Sequence, residues 1–162
     1  MNSPCEVIRG EAMKILLAVD GSEYSAAAVE AVTARPWPPG TIVRVLSAVE
    51  RVAPPAAEVW YDAGGSLEEA REELTRRAEQ LTAGVAERLR EAGLTAEAVV
   101  RDGDPRTAIV DEAEEWDADL IMIGSHGYTG LKRWLLGSVA QSVVGHAACS
   151  VEVVRRKQTS ES

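Results

Sequence analysis

The stretch DLIMIGSHGYTGLKRWLLGS, residues 119–138, joins a short apolar run to two glycines, Gly124 and Gly127, and closes on the pair Gly137-Ser138. Residues 119–123 (DLIMI) are too few for an ordinary helix and run straight into Gly124, so they read as a buried strand entering a turn. A last helix is expected from about Gly137, leading to a closing strand over residues 151–154 (VEVV).

The same pattern opens the chain. Residues 13–19 (MKILLAV) are apolar and are followed at once by Asp20-Gly21-Ser22. Ser22 can cap a helix whose small residues Ala26, Ala27, Val29 and Ala31 would pack on a sheet until Pro36 stops it. Residues 41–49 (TIVRVLSAV) are rich in β-branched side chains and read as a second strand. Pro54-Pro55 and Gly64-Gly65 bracket a long irregular connection, expected to be mobile. The capping box Ser66-Leu67-Glu68-Glu69 then starts the clearest helix, with Leu67, Ala70, Leu74, Ala78, Leu81, Val85, Leu89 and Ala92 at steps of three and four and Gly93 at its end. Residues 96–101 (AEAVVR) are a third strand. Asp104-Pro105 begins a helix with Ile109, Ala113 and Trp116 on its inner face.

Strand and helix therefore alternate through five strands, and the strands are continuously apolar rather than alternating. Such strands suit a parallel sheet covered on both faces, so the expected fold is α/β and doubly wound, with helices on both faces. The organisation expected is one domain over residues 13–155, an amino-terminal extension over 1–12 and a tail over 156–162.

Composition narrows the function. Apolar residues make up 46% and charged residues 27%, the balance of a globular protein, and with no Phe the core falls to Val, Ile, Leu and Ala. A net charge of −9 argues against a protein that coats nucleic acid, which needs Lys and Arg against phosphates. No stretch is long and apolar enough to span a bilayer, and residues 1–12 lack the basic and apolar regions of a secretion signal, so no membrane association and a cytoplasmic location are expected. Cys5 and Cys149 form no metal or redox spacing and read as free thiols.

In a doubly wound sheet the ligand crevice lies outside the carboxyl ends of the strands, where Asp20 ends the first strand and Gly124-Ser125-His126-Gly127 follows the fourth. Gly124 and Gly127 would let a phosphate or ribose approach the backbone and would permit positive φ in the turn. Gly137 and Ser138, at a helix amino terminus, would offer unpaired N–H groups, the positive end of the helix dipole and a hydroxyl to an anion.

These residues, read as G-x2-G-x9-G-S/T, resemble the ATP-binding motif of the universal stress protein family, and ILLAVDGS and VEVVR resemble that family's first and last strands. The resemblance covers about residues 14–155. It implies a Rossmann-like sheet in the order 3-2-1-4-5 and ATP as ligand, with Mg2+ accompanying the nucleotide. It further implies that Asp20 contacts the nucleotide or its metal, and that Ala48 and Ile123 pack near base and sugar. Gly124, Gly127, Gly137, Ser138 and Val139 would hold ribose and phosphates. A homodimer through the last strand is implied as well, covering the edge that carries Val151, Val153 and Val154. Ser150 departs from the Pro more often found before that strand.

The implied role is a nucleotide-dependent sensor or regulator of the stress response, at most a weak ATPase. A slow ATPase using Asp20 to hold Mg2+ and a dimeric interaction module without nucleotide are the alternatives. The chain lacks GxxxxGK(S/T), GxGxxG and an SGGxDS-type loop. Asp20 also suits a helix cap, His126 has no visible carboxylate partner and reads as a solvent-facing loop residue, and His146 reads as lying nearer the core. Lys132 and Arg133 read either as phosphate contacts or as a solvated basic pair. Glu68-Glu69, Glu72-Glu73 and Glu114-Glu115 read as helix surface.

Overall fold

The structure, a computed structural model, describes residues 11–51, 66–127 and 135–156. Its elements alternate as expected: β1 (Lys14–Ala18), α1 (Glu23–Ala34), β2 (Ile42–Val49), α2 (Ser66–Glu91), β3 (Thr95–Asp102), α3 (Pro105–Glu115), β4 (Leu120–Gly124), α4 (Ser138–His146) and β5 (Ser150–Val154). The strands form one parallel sheet in the order β3-β2-β1-β4-β5, the order expected. Pro54-Pro55, Gly64-Gly65, Cys5 and the side chain of Ser66 lie outside the described residues. Among those described, no helix is long and apolar enough to cross a membrane.

Alternating side chains of each strand feed two cores. Ile15, Leu17, Val43, Val45 and Met122 meet Ala28, Val29 and Val32 of α1 and Ala86 and Leu89 of α2. Leu16, Ala18, Leu46, Ile121 and Ile123 meet Ile109 and Ala113 of α3 and Ala140 and Val143 of α4. Helices thus cover both faces, and the sheet is apolar on both sides because neither faces water.

Helix faces depart from the sequence reading in detail. The buried side of α1 is Ser25, Ala28, Val29 and Val32, while Ala26 is exposed. Along α2 burial begins at Ala78, and Leu67 and Leu74 are exposed. The end of α2 follows expectation. Gly93 has φ +88°, its N–H donates to the Arg90 carbonyl at 2.9 Å, and the Leu94 N–H donates to the Leu89 carbonyl at 3.0 Å, a Schellman cap. Gly93→Ala is therefore expected to cost about 1 kcal/mol from strain at positive φ, read as a lowered denaturation midpoint in urea.

On α3, sequence pattern missed Glu112. It is 2% exposed and accepts hydrogen bonds from Arg44 Nη1 at 2.7 Å and from Arg101 Nε. Arg44 also bonds Glu97 and lies 4.3 Å from the centre of the Trp116 ring, so β2, β3 and α3 are fastened together by charge. His146 is not near the core: it is exposed at the end of α4, with Nδ1 2.8 Å from the Ser142 carbonyl oxygen. Cys149 is a free thiol whose pKa burial pushes up, leaving it a weak nucleophile at neutral pH.

Candidate functional site

The carboxyl ends of β1, β2 and β4 and the first turns of α3 and α4 surround a cleft of about 580 Å3 of atom-free space, part of it open to solvent. Ala18, Val19, Leu46, Ala48, Ile123 and Ile109 supply apolar surface, joined by Pro105 and Val139. Asp20, Ser25 and His126 supply the polar side chains, with Gly124 and Gly127 between them. An apolar wall with a few polar groups at one end can take a flat apolar ring system carrying a polar tail.

The turn after β1 holds Asp20 in place. Gly21 takes φ +81°, which folds the chain back so that the Ser22 N–H donates to Asp20 Oδ1 at 2.9 Å. Ser22 then caps α1, its Oγ accepting from the Ser25 N–H at 3.2 Å, and the Asp20 N–H donates to Ser25 Oγ at 3.4 Å. One Asp20 oxygen thus serves the turn, and the helix cap that Asp20 also suited falls to Ser22. The other oxygen, Oδ2, stands 2.9 Å from where a Gly127 side chain would begin.

The glycines act differently from their sequence reading. Neither Gly124 nor Gly127 adopts positive φ; among the described residues the left-handed glycines are Gly21, Gly40, Gly93 and Gly103. A Cβ on Gly124 would come within 2.6 Å of the Tyr24 carbonyl carbon and oxygen, so Gly124 is bare first of all to let α1 pack on β4. Gly127 is the position where a side chain would enter the space beside Asp20.

The start of α4 also needs correction. The Gly137 N–H is not unpaired, since it donates to the Ser125 carbonyl at 2.7 Å. Gly137 has no side-chain cap bond, so among the described residues no side chain caps the first turn, which begins at Ser138. The Gly137–Ser125 bond fastens α4 onto the loop after β4, and a Cβ on Gly137 would lie 3.1 Å from the His126 Cα. Val139 lines the cleft, Gly137 adjoins it through His126 and Gly127, and Ser138 is not among its described lining residues. Lys132 and Arg133 lie outside the described residues, and no Lys or Arg is among the described lining residues.

Pro105 and Ile109 were missed as lining residues. Their signal was available, because the first turn of every helix after a parallel strand starts at the same edge of the sheet. Asp104 caps α3 by accepting from the Arg106 N–H at 2.8 Å. The Arg106 side chain, then its backbone N–H, hold the Asp104 carboxyl below its usual range. That contribution is present above the ordinary carboxylate pKa and is lost as pH falls through the lowered value.

A model of the universal stress protein family matches residues 11–155. The chain belongs to the universal stress protein family. Among family members, YxiE of Bacillus subtilis is 29% identical over 145 residues, covering 88% of this chain and 98% of the relative. The solved structure of MJ0577, a universal stress protein of Methanocaldococcus jannaschii, superposes with a TM-score of 0.78 at 30% identity, covering 91% of this chain and 98% of that one. A universal stress protein family protein from Arabidopsis thaliana, solved with AMP bound, superposes with a TM-score of 0.61, covering 93% and 96%. At 18% identity that last likeness is one of fold.

Proposed function

We propose that this universal stress protein binds ATP in the cleft and reports nucleotide occupancy to a partner in the cytoplasm, as a sensor or regulator in the stress response. The observation that carries the reading is the meeting of three chain segments at one cleft: the Asp20 turn, the loop after β4, and the uncapped start of α4 fastened to that loop. Ala48 and Ile123 offer apolar surface to base and sugar. Gly124, Gly127, Gly137, Ser138 and Val139 form the ribose and phosphate end, where the amides and dipole of α4 favour an anion despite the net charge of −9. The Arabidopsis protein solved with AMP supports a nucleotide on this fold.

Mg2+ fits the same end. Among the described residues no cluster of three His, Cys, Asp or Glu could hold a metal by itself. Asp20 is the one carboxylate among the described lining residues, and Mg2+ usually sits on one or two carboxylates completed by phosphates and water. Asp20 Oδ2 would hold the ion that screens the phosphates.

The unit responsible would be the domain over residues 13–155, flanked by the extension 1–12 and the tail 156–162. β5 is an edge strand whose Val151, Val153 and Val154 are only partly buried, which supports a homodimer through that edge.

The test is calorimetry with MgATP, alongside nucleotide analysis of the denatured purified protein. ATP is expected to bind and to copurify. Asp20→Ala is expected to weaken MgATP binding about tenfold or more, by losing a charged contact, while circular dichroism stays native. Unchanged affinity in that variant would refute the assignment of Asp20, and no binding by the wild-type protein would refute the function.

A further inference from the structure

The cleft has a polar end and an apolar end, and a buried carboxylate outside it bears on the second. The polar end holds Asp20 and His126, whose side chain lines the cleft instead of facing solvent as expected from sequence. At the apolar end, Leu46 and Ala48 of β2 supply one wall and Pro105 and Ile109 of α3 another. Glu112 is not among the described lining residues, yet it lies on the same side of α3 as that wall: Pro105, Ile109 and Glu112 follow one another at steps of four and three.

A matching row stands on β2. Arg44, Leu46 and Ala48 alternate onto one face of the sheet. Leu46 packs in one core with Ile109, and Arg44 Nη1 donates to Glu112 Oε1 at 2.7 Å. On β3, Glu97, Val99 and Arg101 run beside Arg44, Leu46 and Ala48, and Arg101 Nε donates to Glu112 Oε2. One carboxylate of α3 is therefore held from two neighbouring strands, about one helical turn from Ile109.

Stability alone does not account for this arrangement, because replacing a buried ion pair by apolar side chains of similar volume is often neutral or stabilising. What the charges add is direction. Apolar attraction has none, so Leu46 and Ile109 would stay in contact if α3 slid slightly along the sheet. Hydrogen bonds of set length and angle to both oxygens of one carboxylate resist that slide. Arg44 is oriented in turn, by Glu97 at 2.6 Å and by the Trp116 ring, whose centre lies at 4.3 Å.

We propose that Glu112 is a positioning residue for the cleft: held by Arg44 and Arg101, it fixes α3 at the separation from β2 at which the two apolar walls accept the flat ring of a nucleotide base. The inference rests on the nucleotide reading above and places control of the apolar end in residues that do not touch the ligand. Affinity for the base depends on this triad. Affinity for phosphates, gathered at the polar end, does not.

The test is calorimetry with adenosine, MgATP and magnesium tripolyphosphate on wild type and two variants, together with thermal unfolding of the ligand-free proteins. The first variant combines Arg44→Met, Arg101→Met and Glu112→Leu. It removes the three charges at once and leaves Glu97 and Glu115, 45% and 62% exposed, to water. It is expected to unfold close to wild type or above it, since no buried charge is stranded. Its affinity for adenosine and for MgATP is expected to fall about five- to tenfold, with tripolyphosphate unchanged. Glu112→Gln keeps an acceptor for one arginine and is expected to show the same pattern at roughly threefold, which carries the test if the triple variant does not fold. Wild-type affinity for adenosine and MgATP in a folded variant overturns the proposal, as does an equal loss for tripolyphosphate, which marks general loosening. A wild-type protein that binds tripolyphosphate but not adenosine overturns it too and leaves the phosphate end standing. If the wild-type protein binds none of the three, the nucleotide reading itself fails, a result distinct from the others.

Discussion

Glu112→Ala is expected to destabilise the protein by about 3 kcal/mol, because removing one partner of a buried ion pair strands the charges left behind. Glu112 is 2% exposed and receives Arg44 and Arg101, which are 20% and 40% exposed. Their partial contact with water places the effect at the lower end of the range for buried pairs. In a chain of 162 residues that loss corresponds to a fall of roughly 6–12 °C in Tm. Glu112→Gln keeps an acceptor for one arginine and should lose roughly half as much. Urea denaturation with an unchanged m-value checks both, and a midpoint equal to wild type in Glu112→Ala would show that the arginines find other partners.

The second large effect is expected at Gly124. A methyl group there meets Tyr24 backbone at 2.6 Å and the Ser25 nitrogen at 2.9 Å. Backbone of α1 and a strand held between β1 and β5 must shift together to make room, so Gly124→Ala should cost about 2–3 kcal/mol. Gly127→Ala is the control. Among the described residues its Cβ meets only Asp20 Oδ2, the far end of a side chain rather than backbone, at 2.9 Å. Gly127→Ala should stay within about 1 kcal/mol of wild type and still weaken MgATP by displacing Asp20. Equal thermal stability of the two variants would refute the distinction drawn between these glycines.

That distinction marks where reading the chain residue by residue stops. Both glycines stand in one motif and look alike in sequence, yet one is bare for the sake of a neighbouring helix and the other lies beside a carboxylate. The difference arises because α1 crosses β4 there, a contact between residues a hundred positions apart. The Gly137 amide gives the same lesson: a helix start predicts a free N–H, and only the approach of the Ser125 carbonyl uses it up. Glu112 stands two residues before Glu114-Glu115, which read as surface, and it is buried because β2 and β3 each bring an arginine to the same face of the sheet.

What local chemistry could decide, it did decide. Apolar runs ended by Gly or Asp, the Ser22 and Asp104 caps and the left-handed Gly93 specify strands and helices through interactions spanning a few residues, and they carry the alternation, the parallel sheet and the edge on which Asp20 and Gly127 lie. Partnerships across the fold were invisible there: which glycine is filled by backbone, which amide is already bonded, and which carboxylate is buried. Each depends on distances between elements, and those are set by packing of both faces of the sheet at once rather than by any single segment.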